Sequence, residues 1–464
     1  MSSTSQALQR VGRIRQGLAG ATGGHPGDPL YRLDPRVIWR FLRRESAAFW
    51  CINIYLFFEY VRPQSIYEAI AGPPWAQLSL IATMGALFFE RRKAKPGTVA
   101  DATLLLFSCV LVISCITAFQ PAISFGLISE YFAWVLIFLL ISNIVVTEQR
   151  FLVFMLAFVL YNFKMSQHAT RSWASAGFAF RDWGTTGAPG WFHNSGEFGI
   201  EMNVFLPIVV YFLIGLQAHW GWKLKALFGL IIATVVVGTI GSSSRGAMLG
   251  MAVVGLYLLA KSEHKLKGAL ALTALAALSF FLLPEESLDR FRSMGEDGTS
   301  VSRKIYWAAG LQAMREHPIF GIGYGNWTEY MRQVHGGLGL PHNIFIQAGA
   351  ELGYIGLLAF IAMIIATFVV NYQTRKLLRP LRERGRFLSC MANGLDGALI
   401  GFMVSGSFVT VLYYPYFWIN LAMTVALHNA ARHTVKQVRK EARARQHLAT
   451  QRTPLPIPAP GGAR

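Results

Sequence analysis

Charge is scarce in this chain, and negative charge scarcer still. Only 14% of its 464 residues are charged, and 24 acids face 43 bases. Soluble domains carry about 25% charged residues, whereas this chain is 53% hydrophobic with a mean hydropathy of +0.39. So much apolar surface excludes a soluble fold and leaves a polytopic membrane protein. Cysteine is almost absent. Cys51, Cys109, Cys115 and Cys390 all lie in or beside apolar runs, which argues against a disulfide framework or metal knuckle and for buried packing. Cys109 and Cys115 point in different directions on one predicted helix. The first 45 residues lack an apolar h-region, so no signal peptide is expected.

Long apolar runs are what the chain does have. A span needs about 20 mostly apolar residues, and twelve candidates lie near 46–61, 74–90, 101–119, 124–146, 150–164, 195–216, 223–240, 246–261, 266–283, 343–371, 388–412 and 414–431. Short loops rich in Lys and Arg stay cytoplasmic. Arg91, Arg92, Lys93, Lys95, Arg150, Lys223, Lys225, Lys261, Lys265, Lys267 and the cluster Arg375–Arg386 then fall on the inner side with both basic tails. The turns near 120–123 and 413–415 hold no Lys or Arg and fall outside. The net charge of +19 is thus a topology signal with attraction to anionic lipid headgroups. The basic residues are scattered through inner loops rather than gathered on one domain, so no nucleic-acid partner is expected. The resulting division is a basic cytoplasmic segment 1–45, helices over 46–283, an outer loop 284–342, helices over 343–431 and a basic, Pro-rich cytoplasmic tail 432–464. The outer segments 62–73, about 165–195 and 284–342 are where function is expected.

The centres of the spans are nearly free of charge. Glu59, Glu130, Glu197, Glu201, Glu351, Arg245 and His342 all fall near the outer boundary, which describes a cavity opening to that side and argues against ion-coupled transport. Two polar interruptions share this face: Ser242-Ser243-Ser244-Arg245-Gly246, and the loop that ends in Pro341-His342-Asn343. Within the loop, Val301, Ile305, Ala308, Leu311 and Met314 have helical spacing over 301–317, with Thr299 or Ser300 as cap and Pro318 beyond the end. Arg303, Tyr306, Trp307 and Gly310 share one face of that helix. An Arg held beside aromatics can grip a phosphate bidentately; on spacing alone it can equally snorkel at the lipid surface. Gly321-Ile322-Gly323-Tyr324-Gly325 reads as tight turns, because no strand–helix context makes it a dinucleotide fingerprint. His335 and His342 are separated by a Gly-rich stretch that disfavours a paired metal site.

The order SSSRGAM, VSRKIYW, HPIFGIGYGNW, PHNIFIQAGAELGYIG, over residues 240–356, resembles the O-antigen ligase and polymerase superfamily of bacterial membrane glycosyltransferases. The first half, through Phe58-Glu59-Tyr60-Val61-Arg62-Pro63-Gln64 and Phe163-Lys164, loosely resembles the exosortase-associated O-glycosylation ligases of that superfamily, departing from them at Met165-Ser166-Gln167. The resemblance implies an all-α integral membrane fold, GT-C-like, with about twelve transmembrane helices and a large periplasmic loop carrying short helices. It implies transfer of a glycan from undecaprenyl diphosphate to lipid A-core or another periplasmic acceptor, inverting and independent of metal or cofactor. By motif, Arg245 and Arg303 stand near the lipid diphosphate and His342 near the acceptor hydroxyl.

The residues fit that chemistry in their own terms. No two aspartates here are two positions apart, so fixed cations would take the place of a metal-held diphosphate. A neutral His342 can accept the acceptor proton, and Asn343 is expected to orient the imidazole or a sugar hydroxyl. His193, Asn194 and Glu197 are candidates for acceptor or diphosphate contacts, with Lys164 and Tyr306 as further site residues. Singly, each has a structural alternative: Arg245 as the anchor of a helix start, His342 as a capped boundary residue. Polymerase and protein O-glycosylating activities share the donor chemistry. A lipid-linked glycan transporter is the reading from a different class.

Overall fold

The computed structural model describes residues 28–91, 94, 97–179, 184–189, 192, 194–266, 268–270, 273, 298–337 and 339–452. Its helices are α1 (Pro35–Leu42), α2 (Ala47–Tyr60), α3 (Trp75–Phe88), α4 (Val99–Ile116), α5 (Pro121–Ile144), α6 (Glu148–Ser175), α7 (Ser195–Leu216), α8 (Trp222–Gly241), α9 (Arg245–Lys261), α10 (Gly298–Glu316), α11 (Trp327–Val334), α12 (Ile344–Leu378), α13 (Arg386–Gly406) and α14 (Pro415–Arg452). Eleven of the twelve apolar runs are these helices; most of the twelfth, 266–283, lies outside the described residues, as do 284–297, His193 and the Pro-rich tail from 453. Among the described residues five stretches are long and apolar enough to cross a membrane: Val99–Ile116, Pro121–Ile144, Ser195–His219, Trp222–Gly241 and Ile344–Gly406, the last containing both α12 and α13. Helices α2 and α3 have 14 residues each, about 21 Å of rise against a hydrocarbon core of about 30 Å. Helix α6 runs on unbroken to Ser175, beyond the apolar run that ends near 164.

Small residues set the closest helix pair. Along α13, a Cβ on Gly397 would stand 2.7 Å from the Pro207 side chain, and one on Gly401 would stand 2.6 Å from the Asn203 carbonyl oxygen on α7. Hydrocarbon tails are as apolar as Leu, so helices in lipid associate through such close packing rather than through apolar burial. Asn203, fully buried, donates from Nδ2 to Ala247 O at 2.7 Å and to Ser405 Oγ at 2.8 Å, tying α7 to α9 and α13.

Hydrogen bonds and ion pairs sort the helix ends into two sets. At one end, Arg150 is buried between Glu45 (2.7 Å) and Glu90 (3.3 Å). Tyr31 donates to Glu148, Trp220 Nε1 donates to Tyr31 O at 2.7 Å, and Arg384 pairs with Glu441 at 2.8 Å. Arg150, counted above as a loop cation, is therefore a buried staple. Its placement is dictated by two carboxylates that need a partner in a dry environment.

At the other end, Phe119 N donates to Ile322 O (2.8 Å) and Ser124 Oγ to Tyr324 O (2.6 Å), and Thr185 N donates to Gly241 O (2.9 Å). There the segment from α10 to α11 builds a small core of its own from Ala309, Ala313, Met314, Ile322, Trp327, Tyr330 and Met331, closed by Ala350 of α12. Helix α10 runs close to its expected bounds, but the apolar stripe Val301, Ile305, Leu311 is exposed rather than packed inward. The face with Arg303, Tyr306 and Trp307 is the one turned toward the rest of the fold.

Candidate functional site

Two loops meet at His342, and a third docks on the helix that follows it. The first is its own strap, 339–343. Trp327 Nε1 donates to Gly339 O at 3.0 Å and Trp307 Nε1 donates to Pro341 O at 2.9 Å, so two indoles hold the strap from α11 and α10. A Cβ on Gly339 would stand 2.9 Å from the Tyr306 ring, which places Tyr306 over the same strap. His342 takes a left-handed backbone with φ of 46°. A non-glycine residue is seldom found there and persists only where its surroundings over-determine it. The surroundings are Pro341 before it and, after it, Asn343, whose Oδ1 accepts from Phe345 N (2.9 Å) and Ile346 N (3.1 Å) to cap α12.

The second loop is the turn after α13. The backbone N–H of His342 donates to Thr410 Oγ1 at 2.9 Å. A Cβ on Gly246, at the start of α9, would stand 2.8 Å from Phe408, and one on Gly196 would stand 3.3 Å from Val409 and 3.7 Å from Ser244 Oγ. Tyr414 Oη donates to Glu197 Oε1 at 3.4 Å and Tyr416 Oη to Glu197 O at 3.1 Å. One turn, 407–416, therefore touches the strap, the SSSRG turn and the start of α7.

The third loop is 318–326, docked on α12 where that helix breaks at Gly353 (φ 69°, ψ −173°). Tyr354 N donates to Pro318 O at 2.8 Å, Ile322 N to Ala350 O at 2.9 Å and Gly323 N to Glu351 O at 2.9 Å. The glycine-rich stretch is thus a set of turns that fits against a helix break, as expected from its lack of strand context.

Arg303 and His342 are brought together. Burial, and then the Arg303 guanidinium, push the half-buried imidazole below its ordinary value, which favours the neutral form at pH 7. Arg245 is the first residue of α9, after Ser244, whose Oγ caps the helix by accepting from Ala247 N at 3.3 Å. Its neighbour Gly246 packs on Phe408, two residues before Thr410, which sets the start of α9 beside the turn that is bonded to the His342 N–H. Ser243 precedes it with φ of 53°, a second left-handed residue at the same place.

The remaining expected site residues that are described make hydrogen bonds within the fold. Asn343 Oδ1 is committed to the start of α12, so it does not orient the imidazole through that atom. Asn194 caps α7, accepting from Glu197 N at 2.9 Å and donating to Glu197 Oε1 at 2.8 Å, while Glu197 also receives Tyr414. Lys164 Nζ donates to Val61 O at 2.6 Å, tying α6 to the end of α2. His193 lies outside the described residues. Thr410 and Phe408 were not singled out by the sequence. They sit in a stretch without charge, and their roles depend on backbone contacts across 68 positions of chain.

The described residues form a bundle of apolar helices, five stretches of which are long and apolar enough to cross a membrane. Residues 229–361 match the family model described as O-Antigen ligase. The chain is 33% identical over 156 residues to a Pseudomonas aeruginosa protein named O-antigen ligase, covering 33% of this chain and 35% of that one. It is 23% identical over 222 residues to the Rhizobium meliloti exopolysaccharide production protein ExoQ, covering 43% of this chain and 50% of that one. The chain spans about a third to a half of the relatives' lengths, and the matches support its resemblance to the O-antigen ligase superfamily. Arg245, Arg303, Asn343 and His342 lie inside the matched segment; Thr410, Glu197 and Lys164 lie outside it.

Proposed function

We propose that this protein is a membrane glycosyltransferase of the O-antigen ligase type, moving a glycan from undecaprenyl diphosphate to lipid A-core or another acceptor at the periplasmic face of the bacterial inner membrane. The observation that carries the reading is His342 on a strap locked by Trp307, Trp327 and Thr410, with Arg303 one turn of α10 before Trp307. A neutral imidazole beside a fixed guanidinium is what proton removal next to an anionic leaving group requires. His342 takes the proton of the acceptor hydroxyl as its oxygen bonds to the anomeric carbon. The bond from that carbon to the diphosphate breaks on the opposite side, inverting the centre, and undecaprenyl diphosphate departs with the electron pair. Arg303 and Arg245 hold the charge that builds on the diphosphate, with neither metal nor cofactor assigned a role. The topology that goes with this reading has about twelve crossings and both termini in the cytoplasm. It is supported by the apolar runs and by the sorting of loop contacts into two ends. The exposed stripe Val301, Ile305, Leu311 suits a helix lying at a lipid boundary.

Reconstituted protein given undecaprenyl-diphosphate-linked glycan and lipid A-core in EDTA is the test. Transfer by the wild type, lost in His342→Ala, is the expected result. Vesicles that move the lipid-linked glycan across the bilayer without joining it to anything would turn the reading to transport. The likeness to a protein named for exopolysaccharide production keeps a second reading, in which the acceptor is another lipid-linked glycan. Substituting that acceptor in the same assay separates the two.

A further inference from the structure

A second cavity, of about 540 Å³, lies among α2, α3, α5 and the turn before α14. Tyr55, Glu59, Arg62, Glu130, Trp134 and Tyr414 line it. Its size is that of a small-ligand site, and its lining, which also includes Tyr413, combines four aromatic rings with two carboxylates and one guanidinium. The cavity shares chain elements with the site described above. Tyr414 belongs to the same turn as Thr410, four positions on, and Glu130 and Trp134 are carried by α5, whose start is bonded to the 318–326 loop through Ser124 and Tyr324.

We propose that this cavity is a subsite for a sugar ring of the acceptor glycan, a role that rests on the transferase reading. Pyranose rings offer an apolar C–H face that packs on aromatic rings, and adjacent hydroxyls that planar carboxylate and guanidinium groups bind two at a time. Two carboxylates against one arginine disfavour a diphosphate, so the donor's charged end belongs with Arg303 and Arg245 rather than here. The subsite sits in the first half of the chain and in the final turn, outside the segment 229–361 that matches the family model. Acceptor choice would then be written in a part of the sequence separate from the donor chemistry.

The test uses reconstituted full-length protein, with undecaprenyl-diphosphate-linked glycan as donor and lipid A-core as acceptor, and compares wild type with Glu130→Gln, Trp134→Ala and Trp134→Phe. Loss of one aromatic contact is expected to raise the acceptor KM about three- to tenfold, with donor KM and kcat held and Trp134→Phe restoring most of the loss. A rise in donor KM instead, or no change in either, overturns the proposal. Saturation-transfer NMR with delipidated core oligosaccharide gives a readout independent of transfer. Binding by the wild type that weakens in Trp134→Ala and Glu130→Gln supports a sugar site even where no transfer occurs, in which case the transferase reading alone falls. Oligosaccharide binding that is absent, or unchanged in the variants, overturns the subsite.

Discussion

Gly321 and Gly353 stand face to face, each with a left-handed backbone. A Cβ on Gly321 would come within 2.4 Å of the Glu351 carbonyl carbon, and one on Gly353 within 2.4 Å of the Ile319 carbonyl oxygen. The break in α12 and the loop that fills it are therefore one joint. Gly353→Ala is expected to cost about 1–3 kcal/mol through strain at positive φ. Thermal unfolding in detergent should show it as a lower midpoint, and an unchanged midpoint would mean that the joint is looser than these contacts describe.

Thr410→Val keeps the shape of the side chain and removes the acceptor of the His342 N–H. Leaving that donor without a partner costs about 1–3 kcal/mol. The expected outcome is a fall in kcat for glycan transfer with the donor KM unchanged, because the diphosphate is assigned to arginines on other elements. A rise in donor KM alone would show that the turn serves binding rather than the imidazole.

The acid limb of kcat/KM reports the pKa of the free enzyme's base. An unperturbed histidine titrates near about 6.5, and burial with Arg303 sets His342 below that. Transfer is expected to hold as pH falls to the ordinary histidine range and to decline only beneath it. Arg303→Gln removes a cation that opposes protonation, so the limb of its residual activity should move to higher pH. A limb that stays where it was would remove Arg303 from the imidazole's surroundings.

Trp307 and Trp327 hold the same short strap through different carbonyls. Replacing either with Phe removes one hydrogen bond, about 0.5–1.5 kcal/mol. The two losses should combine non-additively in kcat, as they do when two groups position one segment. Additive losses in the double variant would show that each indole acts on its own surroundings.

Arg150→Met should leave Glu45 and Glu90 as buried carboxylates without their cation. Removing one partner of a buried pair costs about 3–5 kcal/mol. Folded protein recovered from membranes should fall sharply, and Glu45→Gln with Glu90→Gln added to Arg150→Met should recover part of it.

The helices were legible because hydropathy is a local signal: Val99–Ile116 and Trp222–Gly241 announce themselves residue by residue. That Arg303 and His342 share one face is an expectation of the alternating topology, which places both motifs on the same side. Thr410 was not, because a hydroxyl that receives a backbone N–H from 68 positions away leaves no pattern in its own neighbourhood. Asn194 and Asn343 carry two signals at once. Asn before an apolar run is a cap signal as much as a site signal, and here both side chains spend their oxygens on helix starts. Arg150 misled because counting cations by loop takes no account of carboxylates brought in from elsewhere in the chain.

The cap on α12 has one more consequence. A helix start offers unpaired N–H groups and partial positive charge, and would ordinarily be a ready seat for phosphate. Asn343 already occupies the amides of Phe345 and Ile346, so the helix end beside His342 has little left to offer an anion. In the proposed reaction the diphosphate must then be met by guanidinium groups, whose charge does not change across the biological pH range. The imidazole becomes the single titrating element of the reaction, and the enzyme's response to the acidity of its compartment is the response of one side chain.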